Sequence, residues 1–489
     1  MVPASSPSPA RVAASSRVDQ AGIDASCRAP VLLFLVFGAI WLLVATALTL
    51  ISSIQLHNPG FLSDVAWLTF GRVRPAMMNA LTYGWGFNAA FAMTLWLMAR
   101  LSDSPLRAAS LAVVAGLFWN LGVTLGTVGI LAGDTTGHVG LEMPGYVAPI
   151  LFVAYAMIAV VGVLAFRFGR SSWVYVSQWY LLAALFWFPW LYSVAQATVV
   201  YGDGRGVVQA IASNWYAYNV YGLWLAPVAL AALYYLLPKV LGRPIHEYGS
   251  TRMAFWCWGL FASWIGVARL VGGPVPAWVQ TAGVAAALLL LIPVIVIAIN
   301  LLGTFRGHFG RIKGSPSMTF AIVSIIAFLV AGVLTAVGSL RVVAEVVQFT
   351  FASHALSLLE VYGVFSMAAF GTIYFLVPRL VRRAWPSAAL LSAHLWSTVA
   401  GLLLAVVCQL VAGWLQGTAI NNPEAFPNFV DVIARTVPFL VGQSLAVVLL
   451  AIGHVAFAVN FGLMLMKPRA ASDAAPEIFR NPPALEVAR

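Results

Sequence analysis

Residues 214–245 read NWYAYNVYGLWLAPVALAALYYLLPKVLGRPI. From Arg205 to Lys239 no charged side chain interrupts the chain, and the apolar run then ends on Lys239 and Arg243. A helix needs about 20 mostly apolar residues to cross the hydrocarbon of a bilayer, and this run exceeds that. The same reading finds apolar runs near 31–55, 76–99, 108–132, 146–168, 174–200, 209–238, 253–272, 276–303, 318–340, 347–377, 388–415 and 435–466. These predict an all-α, polytopic membrane protein with twelve spans. The composition agrees: 62% hydrophobic, 8% charged and 18 tryptophans in 489 residues exceed what one water-soluble core can bury.

Charge placement sets the expected orientation. Arg100, Arg107, Lys239, Arg243, Arg306, Lys313, Arg379 and Arg383 fall on one side with both tails, whereas the opposite loops carry Arg72, Arg74, Arg205, Arg341 and Arg435. The positive-inside rule then places both termini in the cytoplasm. A net charge of +11 does not point to nucleic acid, because the basic residues form short clusters between apolar runs. Cys27, Cys257 and Cys408 are far apart and form no CxxC or CxxCH spacing, which excludes a disulfide framework and covalent haem attachment. Residues 1–30, rich in Ala, Ser and Pro, are expected to be a disordered cytoplasmic tail, 31–466 the membrane domain and 467–489 a second tail.

Span counting leaves function open, so motifs must decide. FGRVRPAMMNALTYGWGFNA (70–89), NWYAYNVYGLWLAP (214–227) with YYLLPKVLGRPI (234–245), and MAFWCWGLFASWIGVARLVGGPVPAW (253–278) are joined by GTIYFLVPRL, VAGWLQG and TVPFLVGQSLAVVLLAIGHVAFAVN in later spans. Together and in this order, over about 30–466, they resemble the catalytic subunit I of cbb3-type cytochrome c oxidases, in the haem-copper oxidase superfamily. The third motif keeps Phe255, Trp256, Trp264, Gly266, Leu270, Pro276 and Trp278. The resemblance implies a twelve-helix bundle that binds two b-type haems and one copper, and a membrane-anchored cytochrome c as partner.

The residues that this resemblance assigns to metal are missing. The low-spin haem histidine of span two falls on Met77, and the His-x-His pair of span ten on Leu356 and Leu358. The copper positions carry Tyr218, Ala268 and Arg269, and the span-seven tyrosine is Ala262. Leucine donates nothing to iron, and a guanidinium repels a metal cation. No haem and no copper are therefore expected, and oxygen reduction is not expected either. Methionine can be an axial haem ligand, which keeps Met77 open, and His354 would reach the first span-ten histidine position by a two-residue slip. The other histidines, His57, His138, His246, His308, His394 and His454, are scattered and read as hydrogen-bonded or solvated. Glu142, in LEMPG, reads as a structural loop acid.

Two opposite charges stand at membrane depth instead, Arg269 at a copper position and Glu360 one helical turn after Leu356. Each costs at least about 2.5 kcal/mol near the centre of a membrane helix, so an ion pair is expected, with Tyr218 hydrogen-bonded beside it. Such a cluster either fills the hole and fixes helix register or has a function of its own. Arg72 and Arg74 are expected to pair with Asp64, Asp134, Glu142 or Asp203 on the outer side. The reading that follows is a non-catalytic, subunit I-like component of a respiratory or electron-transfer complex in a bacterial-type inner membrane. Its alternatives are a divergent oxidase or nitric oxide reductase with unforeseen haem ligands, and a conductor of protons or small anions through the vacated cavity.

Overall fold

The computed structural model describes residues 9–466 except 172 and 313, and among them every regular element is helical. The long helices are α1 (Pro9–His57), α2 (70–101), α3 (Ala109–Ala132), α4 (Gly145–Arg167), α5 (Val176–Val200), α6 (Val207–Leu241), α7 (251–268), α8 (Ala277–Phe305), α9 (Pro316–Ser339), α10 (Phe351–Val381), α11 (Ala388–Ile420) and α12 (Val437–Met466). Ten of them are long and apolar enough to cross a membrane. The other two, α2 and α7, match expected runs but differ physically. α2 is continuous yet carries Arg72, Arg74, Asn79, Asn88 and Arg100, whereas α7 breaks at Ser263 and Trp264.

Around Asn88 protein surrounds α2 completely, every residue from Tyr83 to Ala99 being buried, whereas Arg72, Arg74 and Arg100 stand half-buried nearer its ends. Asn88 and Asn120 of α3 exchange reciprocal amide hydrogen bonds at 3.0 Å, and the Trp41 indole of α1 donates to Asn120 at 3.0 Å. In a medium without water such pairing must be made inside the protein. α6 and α10 are central too, buried over 100% and 94% of their apolar windows, against 39–56% for the other crossing helices. The three central helices share a pattern. Each contains a π-helical segment, Ala80–Gly86, Val220–Leu225 or Leu359–Ser366, holding Tyr83-Gly84, Tyr221-Gly222 or Tyr362-Gly363. Each ends on a basic residue in its last turn, Arg100, Lys239 or Arg379, where a cation meets the negative end of the helix dipole.

α1 starts earlier than the apolar run at 31. The expected tail 1–30 overlaps this helix, in which Ile23, Cys27 and Val31 recur at one-turn spacing and are 1%, 0% and 0% exposed. Asp24 accepts from the Trp96 indole at 3.0 Å and lies 3.7 Å from Arg100, which ties this extension to the C-terminal end of α2. Residues 1–8 and the expected tail 467–489 lie outside the described residues.

The N-terminal end of α10 is set by two glycines of α11. A Cβ at Gly413 would overlap the Ala352 amide nitrogen, and one at Gly417 would overlap the Val346 carbonyl oxygen of the short helix Arg341–Val347. Both obstacles are backbone and cannot swing away. Gly417→Ala should therefore destabilise the protein by about 3 kcal/mol, the upper range for overpacking. A lowered midpoint in detergent thermal unfolding would show it, and an unchanged midpoint would contradict this packing.

Candidate functional site

The break in α7 builds the site. After Ala262 the helix opens, and the Asn219 side-chain amide of α6 donates to the freed Ser263 carbonyl at 3.1 Å. One further turn, Ile265–Ala268, then ends on Arg269. That turn is wedged in place by two close approaches. Gly266 lies so near the α6 backbone that a Cβ would stand 2.6 Å from the Asn214 carbonyl oxygen, and Gly283 of α8 would likewise meet the Ala268 nitrogen at 2.6 Å. The Arg269 carbonyl accepts from the Gln348 side chain, which closes the turn against the segment leading into α10.

So held, the guanidinium points at α10. Its Nη2 lies 3.1 Å and 3.0 Å from the two carboxylate oxygens of Glu360, and Nη1 donates to Ser357 Oγ at 3.3 Å. The Glu360 side chain is 5% exposed and that of Arg269 23%, so the carboxylate is enclosed and the cation reaches the edge of the bundle. Tyr218 joins through its ring rather than its hydroxyl: the guanidinium carbon sits 5.1 Å from the ring centroid. This corrects the expected hydrogen bond, because an aromatic face attracts a cation without needing a donor. Beside the carboxylate lies a cavity of about 10 Å³ bounded by Tyr218, Tyr221, Trp258, Thr335 and Glu360, about the minimum space for one water.

The remaining metal positions do not assemble a donor set. Ala262 and Ala268 are buried, Met77 is 5% exposed in the core, and Leu356 and Leu358 are half-buried. His354 lies near the N-terminal end of α10, exposed, with its ring 6.0 Å from the Phe351 ring. Among the described residues no group of three or more His, Cys, Asp or Glu is placed to hold a metal ion. At the positions that the sequence resemblance assigns to copper the structure offers a phenol ring, a methyl group and a guanidinium committed to a carboxylate. At those it assigns to haem in span ten there are two leucines. Those residues do not fit haem iron or copper.

The scattered histidines have local partners. His57 bonds to Ser444 at 3.0 Å, His138 to Gln209 at 2.9 Å and His308 to Arg243 at 3.2 Å, while the His246 amide donates to Thr304 at 3.0 Å. His394 meets the Tyr374 hydroxyl at 2.8 Å. His454 bonds Tyr362 at 2.5 Å and Thr46 at 2.6 Å, a three-helix contact that sequence reading missed. Ser357 and Gln348 were also missed; the only available signal was Ser357 lying one turn before Glu360.

Among the described residues the expected pairs of Arg72 and Arg74 with carboxylates do not form. Arg72 donates instead to the Leu131 carbonyl at 3.2 Å, one of the free acceptors at the end of α3. Glu142 accepts from the Gly140 amide at 3.0 Å and from Asn79 at 3.1 Å, so it pins the α3–α4 loop to α2. Burial pushes its pKa above the usual carboxylate range, against the lowering effect of those hydrogen bonds.

Residues 29–450 match the family model of cytochrome c and quinol oxidase polypeptide I. The cbb3-type cytochrome c oxidase subunit CcoN1 of Stutzerimonas stutzeri is 27% identical over 445 residues, covering 87% of this chain and 92% of that protein. A cytochrome c oxidase subunit 1 homolog of Azorhizobium caulinodans is 25% identical, covering 91% and 83%. Subunit 1 of Rhodobacter capsulatus is 26% identical, covering 91% and 86%. A haem-copper terminal oxidase solved by cryo-EM as a dimer superposes with a TM-score of 0.62 at 14% identity, covering 94% of this chain and 86% of that one, which shows the shared fold.

Removing one partner of a buried ion pair costs about 3–5 kcal/mol, because the other charge stays behind. Partial exposure of Arg269 brings the expected loss for Glu360→Gln to the low end of that range or below it. The double variant Arg269→Met, Glu360→Leu should regain most of the loss. Thermal midpoints of the singles and the double test this, and strictly additive losses would contradict a direct pair.

Proposed function

This chain belongs to the cytochrome c and quinol oxidase polypeptide I family, and we propose that within it the chain is a metal-free member serving as a non-catalytic subunit of a respiratory or electron-transfer complex. One observation carries the reading: an Arg269–Glu360 pair, with the Tyr218 ring against it, occupies positions where the family resemblance expects copper ligands and the neighbourhood of the active-site haem. Copper would have to displace a guanidinium from its carboxylate, and both span-ten haem positions are aliphatic. Oxygen chemistry at this site has no donor to work from.

In this reading α2 and α7 also cross the bilayer, α2 because protein buries its polar groups and α7 as a helix unwound near its outer end. That gives twelve crossings, both termini in the cytoplasm and a bacterial inner membrane as the location. The positive charge of the loops supports the orientation. The partner is a membrane-anchored cytochrome c, inferred from relatives that are themselves cytochrome c oxidase subunits.

A second reading is favoured by the water-sized cavity against Glu360 and by the partial exposure of Arg269. A carboxylate next to a water site, with a cation open to the outer side, suits passage of protons or a small anion. Proteoliposome flux abolished by Glu360→Gln would favour it over the structural role.

The deciding measurement is a reduced-minus-oxidised visible spectrum with pyridine haemochrome and metal analysis on the purified chain. The expected result is no stoichiometric haem or copper. Stoichiometric b-type haem with copper would overturn the proposal and restore the oxidase, with His354 and Met77 as the first ligands to substitute.

A further inference from the structure

The π-helical segment Leu359–Ser366 of α10 is bonded to a different neighbour at every second residue. Glu360 takes Arg269 from the end of α7. Tyr362 meets His454 Nε2 of α12 at 2.5 Å, and His454 Nδ1 meets Thr46 Oγ1 of α1 at 2.6 Å. The Val364 carbonyl accepts from Ser324 Oγ of α9 at 2.7 Å. Ser366 Oγ accepts from the Trp85 indole of α2 at 2.9 Å and donates to the Val361 carbonyl at 3.0 Å. Four helices are thus bonded to one short segment, and α1 joins them through His454.

The proton positions in the Tyr362 branch follow from counting donors. The Thr46 hydroxyl donates to the Leu42 carbonyl at 2.6 Å, which leaves its oxygen as an acceptor. His454 therefore carries its proton on Nδ1 and donates to Thr46, and its bare Nε2 accepts from the Tyr362 hydroxyl. The opposite tautomer would leave the Tyr362 proton without an acceptor. Tyr362 and His454 are 2% and 4% exposed, so this satisfied chain lies in the interior of the bundle. The hydroxyls of Ser324 and Ser366 do similar work for the backbone, because they bond carbonyls within the π-helical segment.

The placement follows the two leucines. Glu360 stands four residues after Leu356, and Tyr362 four residues after Leu358. Each is therefore one turn further along the same stripe of the helix. We propose that Leu359–Ser366 is a polar clasp that holds α10 against α7, α12, α1, α9 and α2, so that the protein assembles and keeps its fold without haem. The clasp rests on the metal-free reading and supplies what that reading lacks, a physical reason why the central helix stays in place. A helix anchored through iron is held by a bound group, whereas this one is held by side chains of its own chain.

The test has two arms, both on the full chain in detergent. In the first, protein is purified from cells limited for haem synthesis and from replete cells, and yield and Tm are compared. Equal values are expected, and a lower yield or Tm from limited cells would overturn the clasp. In the second, Tm is measured for Tyr362→Phe, His454→Leu and the pair. Each single change is expected to lower Tm by about 2–4 °C, and the pair by less than the sum, since both remove one interaction. If His454→Leu fails to assemble, Tyr362→Phe against Thr46→Val carries the same comparison. Unchanged or additive Tm values in a haem-free protein would sink the clasp and leave the metal-free reading standing; bound haem with a haem-dependent Tm would sink both.

Discussion

In hydrocarbon a polar group finds no water, so one at membrane depth is costly unless it meets a partner from the protein itself. This constraint organises the centre of the bundle. Asn88 is tolerable in α2 because Asn120 faces it, Glu360 in α10 because Arg269 does, and Tyr362 because His454 does. Remove the partner and the group left behind bears the full cost of its desolvation. The architecture of the central helices is therefore a set of pairings, with aromatic packing such as Trp85 on Phe370, 5.0 Å between ring centroids, filling the space between them.

The chain shares the fold of a solved haem-copper terminal oxidase. The π-helical segments of α2, α6 and α10 lie beside the positions of Met77, Tyr218, Leu356 and Leu358. Such segments cluster at functional sites, since a widened turn exposes backbone groups and redirects side chains. Here the widened turns face aliphatic groups, an ion pair and an imidazole. One scaffold can carry different chemistries, which is why fold likeness alone does not assign an activity.

Much of this was legible in the sequence because charge is rare in membrane spans. Arg269 and Glu360 stood out against apolar surroundings, and the one-turn offset from Leu356 brought them together before any coordinates. Tyr362 and His454 did not, since a tyrosine and a histidine are ordinary in aromatic-rich helices and nothing in their spacing joins α10 to α12. Arg72 went to a carbonyl at the end of α3 because helix ends offer backbone acceptors that a reading of side-chain charges overlooks. The break in α7 was likewise hidden: Ser263 and Trp264 look like helix formers, and only the Asn219 amide on the Ser263 carbonyl shows why the turn opens.

The polarity of α2 has a consequence for how the chain is made. Arg72, Arg74, Asn79 and Asn88 give that helix little reason to leave an aqueous translocation channel for lipid by itself, while α1 is strongly apolar, with a mean hydropathy of 2.7 over its best window. α2 packs on both α1 and α3, and its buried amides find partners on α3, through Asn120, and in the loop that follows it, through Glu142. α2 thus owes its place in the bundle to the helices on either side of it in sequence, which must be present before its polar groups are shielded.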